Sequence, residues 1–169
     1  MSGCAGGVAV LWDLNRLRLV TKLPSMAPND ASSPGIAAIA INEMTGDIVV
    51  ACGTRFGVYD VNGALLVCTD AASASDVERL DSITSVTLNQ AQATEWRKDQ
   101  VVVTGHSDGR LCLWAYTFDA TRCHYAVAPR ATYTTSDCLV SVLLTSDEKK
   151  LYTGDAQGYL ALWATSTCA

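Results

Sequence analysis

Three runs of the chain share one arrangement of apolar and polar positions: IAAIAIN (36–42), ITSVTLN (83–89) and LVSVLLT (139–145). Apolar residues fill the first, fourth and sixth places of each: Ile36, Ile39 and Ile41; Ile83, Val86 and Leu88; Leu139, Val142 and Leu144. Successive side chains of a strand point to opposite faces, so the fourth and sixth places share a face. The first place then falls on the other face, which predicts a strand start covered on both sides. After each run comes a second strand, such as DQVVVTG, then a tight Gly turn. A strand ending in Trp or Tyr follows, and a short apolar segment closes the unit.

The Gly-turn segments repeat one another: GCAGGVAVLWD (3–13), DIVVACGTRFGVYD (47–60), VVVTGHSDGRLCLW (101–114) and LYTGDAQGYLALW (151–163). Trp stands at the same distance after the last Gly in three of them: Gly7 to Trp12, Gly109 to Trp114 and Gly158 to Trp163. Tyr59 takes that place in the fourth. Segments RLRLVTKL (16–23), GALLVCT (63–69) and RCHYAVA (122–128) close three units. Self-similarity at a period of about 50 residues is the mark of a repeat architecture. Asp108-Gly109 predicts a hairpin, because Gly supplies the positive φ such a turn needs, and Gln157-Gly158 and Asn62-Gly63 read likewise. No helical period persists, apart from a short helical turn expected within 71–80.

The units hold two strands in 3–23, four in 36–69, four in 83–128 and three in 139–163. Long loops over 24–35, 69–82 and 128–138 join them. Four-stranded units of this size are the blades of a β-propeller. The expected fold is therefore all-β, a partial propeller over 1–169 of about three four-stranded blades plus incomplete end blades.

Composition agrees with a packed core: of 169 residues, 49% are hydrophobic and 17% charged. A net charge of −5 speaks against a nucleic-acid partner, since such surfaces need clustered Lys and Arg. No apolar run reaches the roughly 18 residues of a membrane span, so no direct membrane insertion is expected. Seven cysteines without a C-x-x-C pair read as reduced, mostly buried thiols, with Cys52, Cys68, Cys112 and Cys123 inside strands. Only two His are present, so a zinc site is not expected, and neither is any cofactor. No G-x-S-x-G elbow, P-loop or H-E-x-x-H occurs, which argues against an enzyme.

The repeats resemble those of WD-repeat propellers. Trp12-Asp13 is the dipeptide itself, and TGHSDG with Trp114 is similar to the family's arrangement. In that family a Ser or Thr, a turn Asp, the Trp and a His from the preceding loop form a hydrogen-bonded network. Thr104, Asp108 and Trp114 match three of these places. No residue of 69–82 supplies the His, and His106 lies inside the turn and is not read as its substitute. Thr153 and Trp163 match in the last unit, whereas Gly53-Thr54 replaces the acidic turn in the second. Trp12, Trp114 and Trp163 are expected in the core.

A closer likeness covers most of the chain. The phrases WDLNRLRLVTKL, INEMTGDIV (41–49), EWRKDQVVVTGHSDGRLCLW and LYTGDAQGYLALW, in that order, resemble the C-terminal propeller of BEACH-domain proteins. The resemblance implies a cytoplasmic scaffold, peripheral to endomembranes, in vesicle trafficking or selective autophagy. Its partners would be other proteins or peptides, with a BEACH domain upstream in the full-length polypeptide. The alternative is a generic WD-repeat subunit of another cytosolic signalling or ubiquitin-ligase assembly. A seven-bladed ring needs on the order of 300 residues. The chain is thus expected to be a truncated product, the C-terminal part of a longer polypeptide, or a half-ring completed by another copy or chain.

Propellers of this family bind partners on one face. That face is expected to gather Asp30, Asp70, Asp76, Glu78, Asp81 and Asp108, either as an acidic surface for a basic segment or as a solvated rim. Trp96 and Arg97 lie on the opposite-face loop and form either a binding hot spot or a blade-edge contact. The run from Asp155 through Tyr159 to Leu162 has the form of an aromatic-x-x-aliphatic linear motif, but it also reads as a blade strand.

Overall fold

A computed structural model describes residues 1–26, 34–71, 82–90, 100–147 and 149–164. Its strands form four antiparallel sheets that follow one another along the chain. The first holds β1 (Ser2–Gly3), β2 (Ala9–Asp13) and β3 (Arg18–Lys22). The second holds β4 (Ile36–Ile41), β5 (Ile48–Cys52), β6 (Arg55–Tyr59) and β7 (Leu65–Asp70). The third holds β8 (Ile83–Leu88), β9 (Gln100–His106), β10 (Arg110–Asp119) and β11 (His124–Thr134). The fourth holds β12 (Leu139–Leu144), β13 (Lys150–Asp155) and β14 (Leu160–Ala164).

The alternating runs are β4, β8 and β12, as their pattern predicts. The placing of their first residue differs. Each of these strands carries a bulge at its second residue: the register shifts between Ile36 and Ala38, between Ile83 and Ser85, and between Leu139 and Ser141. A bulge sets two residues opposite one and so resets the alternation. The first place therefore joins the fourth and sixth on a single face. Ile83, Val86 and Leu88 lie in one core cluster, and Leu139, Val142 and Leu144 in another. The bulged Thr84 donates its hydroxyl to the carbonyls of Gly105 and Leu139, which ties the third sheet to the fourth.

Three clusters fill the spaces between consecutive sheets. Ala9, Leu23, Ile48, Val50 and Tyr59 join the first sheet to the second. Val49, Ala51, Phe56, Val86, Val102 and Trp114 join the second to the third. Val103, Leu111, Val142 and Leu151 join the third to the fourth. Strand alternation makes this possible: Ile48 and Val50 face one neighbour while Val49 and Ala51 face the other.

Three expectations need correction. The first unit has three strands, because Ser2 and Gly3 pair with Val10 and Ala9. The stretch 128–138, expected as a loop, is strand as far as Thr134, because β10 is long enough to pair it along its whole length. Cys123 sits in the β10–β11 turn at φ 52, and of the described cysteines only Cys52 and Cys112 are buried. The helical turn expected within 71–80 lies almost wholly outside the described residues.

Tyr59 shows how the family's Trp place tolerates a different residue. The residue where the other units carry Ser or Thr is Val49, which offers no acceptor. Tyr59 instead donates its hydroxyl to the Pro24 carbonyl at 2.7 Å. Burial pushes its phenol up to about 12, so it remains a donor at ordinary pH. Tyr59→Phe should cost about 1–2 kcal/mol by leaving that carbonyl unpaired. A urea melt checks this, and an unchanged midpoint would show that the bond contributes nothing net.

Candidate interaction surface

One end of the sheet series gathers the Gly turns together with the connections between sheets. Ala71 N donates to Thr54 O at 2.9 Å, and Ile83 N to Gly53 O at 2.8 Å. Ser107 N donates to Ser82 O, Thr135 N to Gly109 O and Ala156 N to Cys138 O, each at 2.9 Å. In the first unit Ile36 N donates to Cys4 O at 3.0 Å. The turns of the first three sheets are thus stitched to segments entering the next sheet, and those of the third and fourth to the segment entering their own, so paired backbone groups make this end a continuous surface.

Beneath it, a side-chain bond recurs. Trp114 Nε1 donates to Thr104 Oγ1 at 3.0 Å, Trp163 Nε1 to Thr153 Oγ1 at 3.0 Å, and Trp12 Nε1 to Ser2 Oγ at 2.8 Å. Each pair lies diagonally across neighbouring strands, with the hydroxyl residue ten places before the Trp. Ser2 carries no other mark in the sequence than this constant ten-residue spacing to its Trp. His106 also requires correction. It is fully buried at the end of β9, with Nε2 at 2.8 Å from Thr104 Oγ1. The strand alternation puts Thr104 and His106 on one face, so His106 completes a Trp–Thr–His chain from inside the turn segment.

The turn aspartate does different work. Asp108 accepts from the Arg110 backbone N at 3.0 Å and from Arg110 Nε at 2.7 Å. Its charge is therefore offset beside the turn. Asp70 is similarly paired with Arg55 Nε at 3.0 Å. Asp13 of the Trp-Asp dipeptide accepts from the backbone N of Asn15 and Arg16 and shapes the β2–β3 turn. Asp30, Asp76, Glu78, Asp81, Trp96 and Arg97 lie outside the described residues.

The tryptophans differ in burial. Trp114 is 5% exposed and packs edge-on to Phe56 at 5.3 Å, whereas Trp12, expected in the core, is 44% exposed. Trp163 is half-buried and leans on Tyr133 at 5.7 Å. Tyr159, Leu160 and Leu162 are exposed, and Leu160 and Leu162 belong to β14.

The opposite end holds a pair of buried asparagines, also unanticipated. Asn42 Nδ2 donates to Asn89 O at 3.0 Å, and Gln90 Nε2 donates to Ile41 O at 3.1 Å, joining the ends of β4 and β8. Both asparagines close their alternating runs, where the third run has Thr145. A shallow open groove at this end is lined by Glu43, Met44, Gln90, Ser146 and Asp147. Among the described residues no group of His, Cys, Asp and Glu could hold a metal ion, and no helix is long and apolar enough to cross a membrane.

No family model matches the chain. Individual relatives do. The chain is 31% identical over 96% of its length to Protein SPIRRIG of Arabidopsis thaliana, of which it spans 5%. It is 30% identical over 62% of its length to BEACH domain-containing protein A2 of the same plant, of which it spans 3%. It is 26% identical over 93% of its length to the human Lysosomal-trafficking regulator, of which it spans 4%. In structure, 96% of the chain superposes on 44% of a WD-repeat propeller chain from the mitotic checkpoint complex, with a TM-score of 0.69 at 15% identity. The serial sheets, the recurring Ser/Thr–Trp bond and these relatives together identify the chain as a partial WD-repeat propeller of the BEACH-domain protein family.

Proposed function

We propose that the chain is a non-catalytic protein-interaction scaffold of a BEACH-type protein, working in vesicle trafficking or selective autophagy. It acts in the cytoplasm at the periphery of endomembranes, with a BEACH domain of the full-length polypeptide among its partners. The observation that carries this reading is the end where Gly turns and inter-sheet connections are bonded into one surface. Such a surface holds loops on a hydrogen-bonded frame, which is how loops become recognition sites. The name of one relative, the human Lysosomal-trafficking regulator, supports the trafficking context.

In this reading the acidic character falls to Asp76, Glu78 and Asp81, since Asp70 and Asp108 already face arginines. The partner is a basic peptide segment, drawn in by complementary charge. Trp96 and Arg97 form a second contact. Replacing all three acids by lysine should weaken binding of a fluorescent Lys/Arg-rich peptide at least tenfold at low salt and remove the salt dependence of the wild-type chain. Unchanged affinity and salt slope would sink the acidic-loop reading. Uniform distribution of the tagged chain in cytosol, with none recovered on endomembranes, would count against the trafficking context.

A further inference from the structure

The packing between the second and third sheets turns polar at the end that holds Asn42 and Asn89. Strand register brings the polar groups together. Ile48 pairs with Tyr59, so one further step along each strand sets Asp47 opposite Asp60. Val49 and Val58 face the third sheet, and alternation turns Asp47 and Asp60 the same way. On the third sheet Gln100 pairs with Tyr116. Tyr116 belongs to the core cluster of Val49 and Val58, and Gln100 shares a face with Val102 of that cluster. Two carboxylates from one sheet thus meet an amide and a phenol from the other. Both sheets have a neighbouring sheet on either side.

This group lacks a cation. Tyr116 is 4% exposed, and among the described residues its hydroxyl has no hydrogen-bond partner. The side chains of Thr45 and Gln100 hydrogen-bond to Asp47. Gln100 gives its amide N–H there, and its Oε1, also buried, is left without a donor. Asp60 spends Oδ1 on the backbone N of Asn62 and Ala64, which leaves Oδ2. Like charges directly opposite one another repel. Burial first, and the Asp60 charge in addition, hold the Asp47 carboxyl above its usual range despite its two hydrogen bonds. Burial and then the Asp47 carboxylate likewise push the Tyr116 phenol up. Among the described residues no Lys or Arg pairs with Asp47 or Asp60. Beside them lies an aromatic shelf: Tyr125 stacks on Tyr116 at 5.2 Å and leans on the exposed Phe118 at 5.0 Å.

We propose that Asp47, Asp60, Gln100 and Tyr116 receive a lysine side chain of a partner protein between the second and third sheets. An ammonium group has N–H donors and no acceptor, which suits a set of oxygens that lacks donors. Its N–H groups meet the Asp47 carboxylate, Gln100 Oε1 and Tyr116 Oη, and Asp60 adds charge. The aliphatic stem lies along Phe118 and Tyr125, as long cationic side chains lie on apolar surface. The two rings add attraction for the positive charge. A metal ion suits the place less well, since among the described residues no group of three or more His, Cys, Asp and Glu could hold one. The inference does not rest on the acidic-loop reading.

The test is a titration of the whole chain with Nα-acetyl-lysine methylamide, followed by two-dimensional amide NMR at the Gln100 side chain and the Tyr116 backbone. Saturable shifts with a Kd on the order of 1–10 mM are expected. The norleucine analogue keeps the stem, lacks the ammonium and should give none. Asp47→Asn and Tyr116→Phe should each weaken binding about tenfold, the loss of one hydrogen bond to a charged group. Tyr116→Phe removes a hydroxyl without a partner, so its urea midpoint should not fall, and both variants should keep the wild-type far-UV circular dichroism. Absent or unsaturable shifts, equal shifts from the norleucine analogue, or unchanged affinity in either variant would overturn the proposal. Saturation of the same signals by calcium chloride would overturn it too, and assign these oxygens to a metal ion. Replacing Asp76, Glu78 and Asp81 by lysine should leave this titration unchanged. Loss of binding in that variant would place the contact on the acidic loop and overturn the proposal, so the two readings fail separately.

Discussion

Trp114→Ala is expected to lower the unfolding free energy by about 3–5 kcal/mol, the range for removing a large buried aromatic. The side chain fills the space between the second and third sheets against Phe56, Val49 and Val58. Its loss leaves a cavity that two sheets, each held by its own hydrogen bonds, cannot collapse to fill. It also takes the indole donor from Thr104, which still bonds His106. Trp114→Phe separates the two contributions: it keeps most of the apolar contact and loses the hydrogen bond, so about 1–2 kcal/mol is expected. The matched change Trp12→Ala should cost under about 1 kcal/mol in the single chain, because that ring is already half in water. Urea melts at one fixed protein concentration check the order. Equal losses at Trp12 and Trp114 would contradict the burial difference on which it rests.

Gly109→Ala should cost about 2–5 kcal/mol, by two separable effects. Gly109 holds φ at +85°, a conformation that costs an L-residue roughly 1–2 kcal/mol. A methyl group there would also stand 2.7 Å from the Thr135 carbonyl oxygen and 2.8 Å from that of Asp137. These are backbone atoms of the segment leading into the fourth sheet, so relief requires that segment to move, at a further cost of about 1–3 kcal/mol. Gly158 occupies the same turn of the next unit at φ +89°, with nothing near its missing methyl. Gly158→Ala should therefore cost only the conformational part, about 1–2 kcal/mol. If the two substitutions shifted the urea midpoint equally, close packing of the turn against the inter-sheet segment would be excluded as a contribution.

The comparison of these two glycines also marks how far sequence reading reaches. Both were legible as turn residues, because Asp-Gly and Gln-Gly before an alternating strand carry their own conformational logic. Which of them is crowded was not legible, since the atoms that crowd Gly109 come from residues 135 and 137. The same holds for the indole pairs. The Thr104–Trp114 pair follows from the repeat, whereas Ser2, at the start of the chain, carries no local mark beyond its ten-residue spacing to Trp12. His106 sits in a turn segment by sequence, yet its side chain shares the face of Thr104 and is fully buried beside it.

Local chemistry and repetition were enough to establish an all-β chain of serial sheets, the order of its strands, the positions of its turns and its likeness to BEACH-type propellers. They depend on neighbours a few residues apart and on alternation along a strand, both of which are written in the residue types. The tertiary structure alone decided three things. Bulges at Ala37, Thr84 and Val140 put the first residue of each inner strand on the core side, because hydrogen-bond register belongs to a pair of strands and not to either one. Asp108 and Asp70 turned out to face arginines, which changes the charge of the surface they help to build. The same Trp is sealed at position 114 and open at position 12, because burial depends on whether a neighbouring sheet is there to cover it.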